Sequence, residues 1–212
     1  MTRLRDLVLA LLLTALFAPA AMAQRATRLH FGVTGGINFA TWRGADVGSG
    51  ATRRTGFHAG GVVTHDLSEA LSIQTGLVYS QEGSGADLGG GVTGEIKVDY
   101  LRVPLVLRAA TTLRGTTPIR PYLLAGPAVS FRVRCRIAAK SGTQSAEADC
   151  GDPTVGLKIQ STDVALDFGA GVDIGRITLG GRYQLGLRSV DDTGGNADVK
   201  NSVLAISAGY RF

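Results

Sequence analysis

An all-β fold, eight antiparallel strands closed into a transmembrane barrel with short periplasmic turns and long external loops, is what this sequence predicts. Three observations carry that expectation. Period-2 alternation recurs along the chain after its first two dozen residues, and helical periodicity is absent there. The connections between the alternating segments switch regularly between long polar stretches and tight turns, around an even number of strands. The polar face of those segments is rich in Gly, Ala and Ser with a few Arg and Asp, which suits a narrow lumen filled by side chains.

The first strand is LHFGVTGGINFATW, with Leu29, Phe31, Val33, Ile37 and Phe39 on one face and His30, Thr34 and Asn38 on the other. TGFHAGGVVTH follows, with Phe57, Ala59 and Val63 opposite His58 and Thr64. In LSIQTGLVYSQ, Leu71, Ile73, Leu77 and Tyr79 alternate with Ser72, Gln74, Gly76 and Ser80. The fourth strand, IKVDYLRVPLVLR, sets Leu101, Val103, Leu105 and Leu107 against Arg102 and Arg108. Its earlier Ile96 and Val98 are in the opposite phase, which predicts a bulge near Tyr100.

RPYLLAGPAVSFRV turns Leu123, Val129, Phe131 and Val133 outward. DVALDFGAGVDI places Val164, Leu166, Phe168, Val172 and Ile174 opposite Asp163, Asp167 and Asp173. RITLGGRYQLGLR alternates most clearly, Ile177, Leu179, Tyr183, Leu185 and Leu187 against Thr178, Arg182, Gln184 and Arg188. The last strand carries Leu204, Ile206, Ala208, Tyr210 and Phe212 on one face. Four connections are long: RGADVGSGATRR, EGSGADLGGGVTGE, residues 134–160, and VDDTGGNADVK. Each strand is about the 9–11 residues that a tilted strand needs to cross a bilayer.

Residues 1–23 read as a secretory signal peptide. Arg3 and Arg5 form a positive start, Leu7 to Ala18 an apolar run, and Ala21-Met22-Ala23 a cleavage site before Gln24. Residues 24–212 are then the barrel domain. The apolar run is shorter than the roughly 20 residues of a spanning helix, and Gln24 stands where a lipid anchor would need Cys. Export without a helical span leaves a soluble exported protein or a barrel in the outer membrane of a Gram-negative cell. Net charge is only +5 and the basic residues are scattered, so nucleic acid is not an expected partner.

With the apolar face toward lipid, the outer-membrane lipid itself is the first partner. Aromatic girdles are expected from Phe31, Trp42, Phe57, Tyr79, Phe131, Tyr210 and Phe212. The inward charges should pair, because a charge held in a poorly hydrated lumen costs several kcal/mol alone. If Asp173 and Arg176 flank a two-residue turn, Asp167 faces Arg182 and Asp163 lies diagonal to Arg188. Arg102 and Arg108 have no partner that the sequence makes evident.

Three stretches resemble the PorT-like family of small outer-membrane barrels: DYLRVPLVLR, PYLLAGPAVSF and DFGAGVDIGRITLGGRYQLGL. Arg182-Tyr183 and Gly186-Leu187 match the family's Arg-Tyr strand ending in Gly-Leu. The resemblance implies an eight-stranded barrel in a Gram-negative outer membrane. The closing alternation, with Tyr210 and Phe212, is similar to the assembly signal that the barrel-insertion machinery reads in that class of protein.

Cys135 and Cys150, the only cysteines, both fall in the third long connection. Export to an oxidising compartment favours a disulfide between them over two free thiols. His30, His58 and His65 are too dispersed for a metal cluster. Glu147, Asp149, Asp152, Asp191, Asp192 and Asp198 lack the regular spacing of a calcium loop. No Lys-Ser/Thr follows the Gly-rich EGSGADLGGGVTGE, so it is no phosphate loop. No catalytic, metal or cofactor-binding residues are expected. The predicted role is structural or interactive, through the external loops to an unspecified partner, with the lumen filled. Two other classes compete: a soluble exported barrel binding an apolar ligand inside, and a membrane-embedded hydrolase or acyltransferase.

Overall fold

The computed structural model describes residues 29–113, 115, 118–152, 158–192 and 197–212. The expected signal peptide at residues 1–23 lies outside them. Ten strands follow in chain order: β1 (Leu29–Arg43), β2 (Ala51–Thr52), β3 (Arg54–Asp66), β4 (Leu71–Gly89), β5 (Val92–Ala110), β6 (Ile119–Ser141), β7 (Gln144–Asp149), β8 (Thr162–Ile174), β9 (Ile177–Gly186) and β10 (Lys200–Arg211). Eight of them close a ring. The order β4-β3-β1-β10-β9-β8-β6-β5 is completed by pairing of β5 with β4, and every pairing is antiparallel. Closure matters because a free strand edge in hydrocarbon would leave backbone donors and acceptors unsatisfied. The short β2 and β7 pair only with the outer parts of β4 and β6.

The alternation resolves into two environments. Phe31, Val33, Ile37, Phe57, Leu77, Leu105, Leu123, Phe131, Leu179, Leu204, Ile206 and Phe212 are all exposed on the outer face. Asn38, His58, Arg102, Arg108, Asp163, Asp167 and Asp173 are buried inside the ring. The soluble alternative required the reverse, an apolar interior and a charged exterior, and the ring is built the other way.

Tight turns gather at one end. Ser68 caps the β3–β4 turn by accepting from the backbone N–H of Ala70 and Leu71 through Oγ. The β8–β9 hairpin turns over two residues, Gly175 and Arg176, with Ile174 opposite Ile177. Gly175 takes φ 58° there, the left-handed conformation that a primed hairpin turn demands of its first central residue. The expected turn, flanked by Asp173 and Arg176, is therefore displaced by one residue. Asp167 stands opposite Gln184 and Gly169 opposite Arg182.

The other end differs more from expectation. Two of the long connections are largely strand. β4 runs on to Gly89 and meets β5 from Val92, around a tip where Gly89, Gly90 and Gly91 all have positive φ. The third connection contains the β6–β7 hairpin. The predicted irregularity near Tyr100 is present, but the additional residue belongs to the partner strand. Asp99 pairs with Arg134 and Tyr100 with Arg132, so Val133 of β6 is the residue left over. Ile96 and Val98 keep the inward phase of β5, and Val98 is buried rather than turned to lipid.

Candidate functional site: the charged lumen and its external cap

Polar side chains line the interior of the ring in three layers. At the middle level Arg102 of β5 extends across to β4 and donates from Nη2 to Glu82 Oε1 at 2.6 Å. Its Nη1 lies 3.7 Å from Asp167 Oδ1 of β8. Asp167 is also held by Arg182 Nη1 of β9 at 3.2 Å. The Asp167–Arg182 contact is therefore made, diagonally rather than face to face. Glu82 has no exposed surface, and accepts a second bond from Ser80 Oγ at 2.8 Å. The guanidinium of Arg54 donates to the Glu82 backbone carbonyl.

Beside this cluster Asn38 donates from Nδ2 to Ser80 Oγ at 3.0 Å and to the Gln81 carbonyl at 3.1 Å. Its Oδ1 is thereby left as an acceptor facing His58 Nδ1 at 2.8 Å, so His58 carries its proton on Nδ1. His58 Nε2 then accepts from the Ser207 hydroxyl at 2.9 Å. The histidine is a satisfied member of an interior network.

The layer nearest the tight turns centres on Asp173. Arg108 Nη2 contacts its two oxygens at 3.0 and 3.2 Å. Thr178 Oγ1 donates to Oδ1 at 2.8 Å, and Arg211 Nη1 stands 3.7 Å from Oδ2. The Arg108 guanidinium also lies 3.9 Å over the Tyr122 ring, a cation–π contact. Gly171 and Gly180 make this placement possible. A Cβ at either would come within 2.4 Å of the Tyr122 hydroxyl.

Toward the external end, Asp163 accepts from Asn201 Nδ2 at 2.8 Å, and Trp42 Nε1 donates to Asn201 Oδ1 at 3.0 Å. The expected Asp163–Arg188 bridge is replaced. β9 ends at Gly186, so Arg188 leaves the sheet and reaches Thr162 Oγ1 and Gln160 Oε1, each at 3.4 Å.

Above this level the interior changes character. Val98, Tyr100, Ile159, Val190 and the Cys135–Cys150 disulfide form a buried apolar cluster, against which Trp42, Ile96, Ile137 and Val199 pack. Among the described residues, apolar side chains thus occupy the external end of the interior. Beyond the cap, Glu147 of β7 receives Lys97 Nζ at 2.7 Å and Arg136 Nη1 at 3.0 Å. The bond from Lys97 and its charge hold the Glu147 carboxyl below the usual carboxylate range. Lys200 does the same to Asp198.

The remaining expected positions sit apart. His30 Nε2 lies 3.0 Å from Asp66 Oδ2 at the tight-turn end. Glu147, Asp149, Asp152, Asp191, Asp192 and Asp198 lie outside the ring's polar interior, and among the described residues no group of three or more His, Cys, Asp or Glu has metal-binding geometry. Tyr210 and Phe212 stand side by side on the lipid face, ring centres 5.5 Å apart, and the Tyr210 hydroxyl accepts from Arg176 Nη1 at 3.3 Å.

Sequence reasoning passed over Glu82, the partner of Arg102, because a Gly-rich run hid the continuation of β4. A signal was available. Ser80, Glu82 and Ser84 continue the inward parity of that strand.

Several solved structures are similar to the chain. The outer membrane protein OprG of Pseudomonas aeruginosa is 13% identical, over 88% of this chain and 97% of that one, with a TM-score of 0.44. Neisserial surface protein A is 14% identical over 86% and 97%, at 0.43. The attachment invasion locus protein Ail of Yersinia pestis is 16% identical over 86% and 98%, at 0.41. No curated protein matches the chain. The family model of the outer membrane protein beta-barrel domain matches residues 22–192. An eight-stranded ring, apolar outside and charged within, is the architecture of such a domain, and the chain belongs to the outer membrane protein beta-barrel domain family, a barrel of the outer membrane.

Proposed function

We propose that this barrel is a non-catalytic interaction module, anchored by its lipid face and acting through its external hairpins on a partner outside the cell. The observation that carries this reading is the external cap. An apolar cluster closes the lumen at that end, while β4, β5 and β6, at 19, 19 and 23 residues, are far longer than the 9–11 residues a bilayer requires. A conduit would leave the mouth open. Here the cap and the Cys135–Cys150 bridge support a rigid platform, the form that lowers the ordering cost of binding. PorT-like membership within the wider family is part of the same proposal and rests on the three stretches quoted above. Tyr210 and Phe212 are assigned, also as a proposal, to recognition by the insertion machinery.

Two measurements test the reading together. Purified barrel in planar bilayers should give no discrete conductance steps. Replacing residues 136–149, with Cys150 changed to Ser, by a short turn should preserve the boiling-dependent gel shift of a folded barrel and weaken adhesion of intact cells to protein-coated surfaces. Stable channels, or unchanged adhesion with the hairpin removed, would sink it.

A further inference from the structure

Between the Arg102 level and the tight-turn end the interior is not filled. A cavity of about 80 Å³ lies there, several times the minimum of about 10–15 Å³ that holds one water. Arg102, Arg108, Arg182 and Arg211 all contribute to its wall, together with Gln184 and Thr34, and no carboxylate residue lines it. Its wall runs from Arg102 and His58 at mid-level to the end that carries the tight turns, where the side chains of His30 and Arg211 are partly exposed.

Guanidinium groups dominate the charge on its wall. Within hydrogen-bonding or ion-pair reach these four guanidiniums meet three carboxylates among the described residues: Glu82, Asp167 and Asp173. Asp173 already takes Arg108 and Thr178, so Arg211 has only a 3.7 Å share in it. Buried donors are also left over. Nε and Nη1 of Arg102 and Nε of Arg108 make no hydrogen bond, although these residues are 2% and 4% exposed and line the cavity; Oε2 of Glu82 and Oδ1 of Asp167, which stands 3.7 Å from Arg102 Nη1, make none either but lie off its wall. A buried donor without an acceptor is costly. Arginine presents planar paired donors matched to oxyanions.

We propose that the lumen holds a binding site for a small oxyanion entering from the periplasmic side, with Arg102, Arg108 and Arg211 as its donors. Sealed externally and open internally, it is a receptor pocket rather than a path. The site is independent of what the external hairpins bind.

A single introduced thiol tests this, because the two natural cysteines are paired. Thr34→Cys places the thiol on the cavity wall. Folded protein would be treated with an anionic sulfonate methanethiosulfonate and with its cationic trimethylammonium analogue. The anionic reagent should react at least tenfold faster, and millimolar inorganic phosphate should slow it severalfold at constant ionic strength. Adding Arg211→Gln, with the boiling shift intact, should abolish most of that preference. Equal rates for the two reagents, a faster cationic one, or no protection by phosphate would each overturn the proposal. Should Thr34→Cys fail to fold, calorimetric titration of the natural barrel with phosphate decides the matter. A single site per chain, weakened by Arg211→Gln, is expected, and absence of binding up to tens of millimolar overturns it.

Discussion

Replacing Arg102 by Met should destabilise the barrel more than any other single change of a lumen charge. Among the described residues Arg102 is the one cation bonded to the Glu82 carboxylate, at 2.6 Å, and it shares Asp167 with Arg182. Without it the fully buried Glu82 side chain keeps one neutral donor, Ser80 Oγ. Breaking a buried pair in this way costs about 3–5 kcal/mol. Arg182→Met should cost less, about 1–2 kcal/mol, since Asp167 retains Arg102 at 3.7 Å and Arg182 is partly solvated. In the double variant Arg102→Met with Glu82→Gln, no unpaired charge remains at Glu82, and most of the loss should return. Urea unfolding of barrel refolded in vesicles reads these differences, followed by the fluorescence of Trp42, the sole tryptophan. With a slope of about 2 kcal/mol per molar urea, the Arg102→Met midpoint should fall by roughly 2 M. An Arg102→Met midpoint equal to that of Arg182→Met, or a double variant weaker than the single, would refute the account of the network.

Other expectations follow from particular contacts. Ile206→Arg on the lipid face at mid-barrel should cost about 2–4 kcal/mol in a bilayer; a neutral effect would contradict the outward assignment. Changing Cys135 and Cys150 both to Ser removes a cross-link of sequence separation 15, on the order of 3 kcal/mol by loop closure, and should make the β6–β7 hairpin protease-sensitive while the barrel stays folded. Glu147 has a folded carboxyl pKa below its unfolded value. Its contribution is therefore present above the ordinary carboxylate pKa of about 4.3 and fades as pH falls through the lower folded value. Hydrogen-exchange protection of the β6–β7 hairpin, taken relative to the intrinsic amide rate at each pH, should fall on acidification below about pH 4, and Glu147→Gln should flatten that fall. Tyr210→Ala with Phe212→Ala should lower the amount of barrel inserted in cells more than its stability once refolded; equal losses would remove the assembly role.

The outward face of every long strand was legible in the sequence because lipid imposes one requirement on all of them. Alternation alone reports which side of β9 is apolar. Partner identity was harder to read. Arg108 and Asp173 lie 65 positions apart, and only the closed ring brings β5 near β8 through the intervening β6. Register was lost for a smaller reason, the position of Gly175 in its turn, which moved Arg182 two places from the expected partner. The cap was illegible for a third reason. Its residues alternate like the rest of β5 but bury inward, and periodicity does not say where the membrane stops.

Val133 marks that boundary. Below it, odd-numbered residues of β6 such as Leu123, Val129 and Phe131 look outward; above it Cys135 looks inward, opposite Val98. One surplus residue acts as a change of reading frame in three dimensions, from a segment written for hydrocarbon to one written for water. Its removal would let Arg134 follow Arg132 directly, opposite Asp99 and Tyr100, and would leave Cys135 facing inward opposite Val98. The lid would keep its clasp, and what the deletion of that single valine would take away is the local bend of β6.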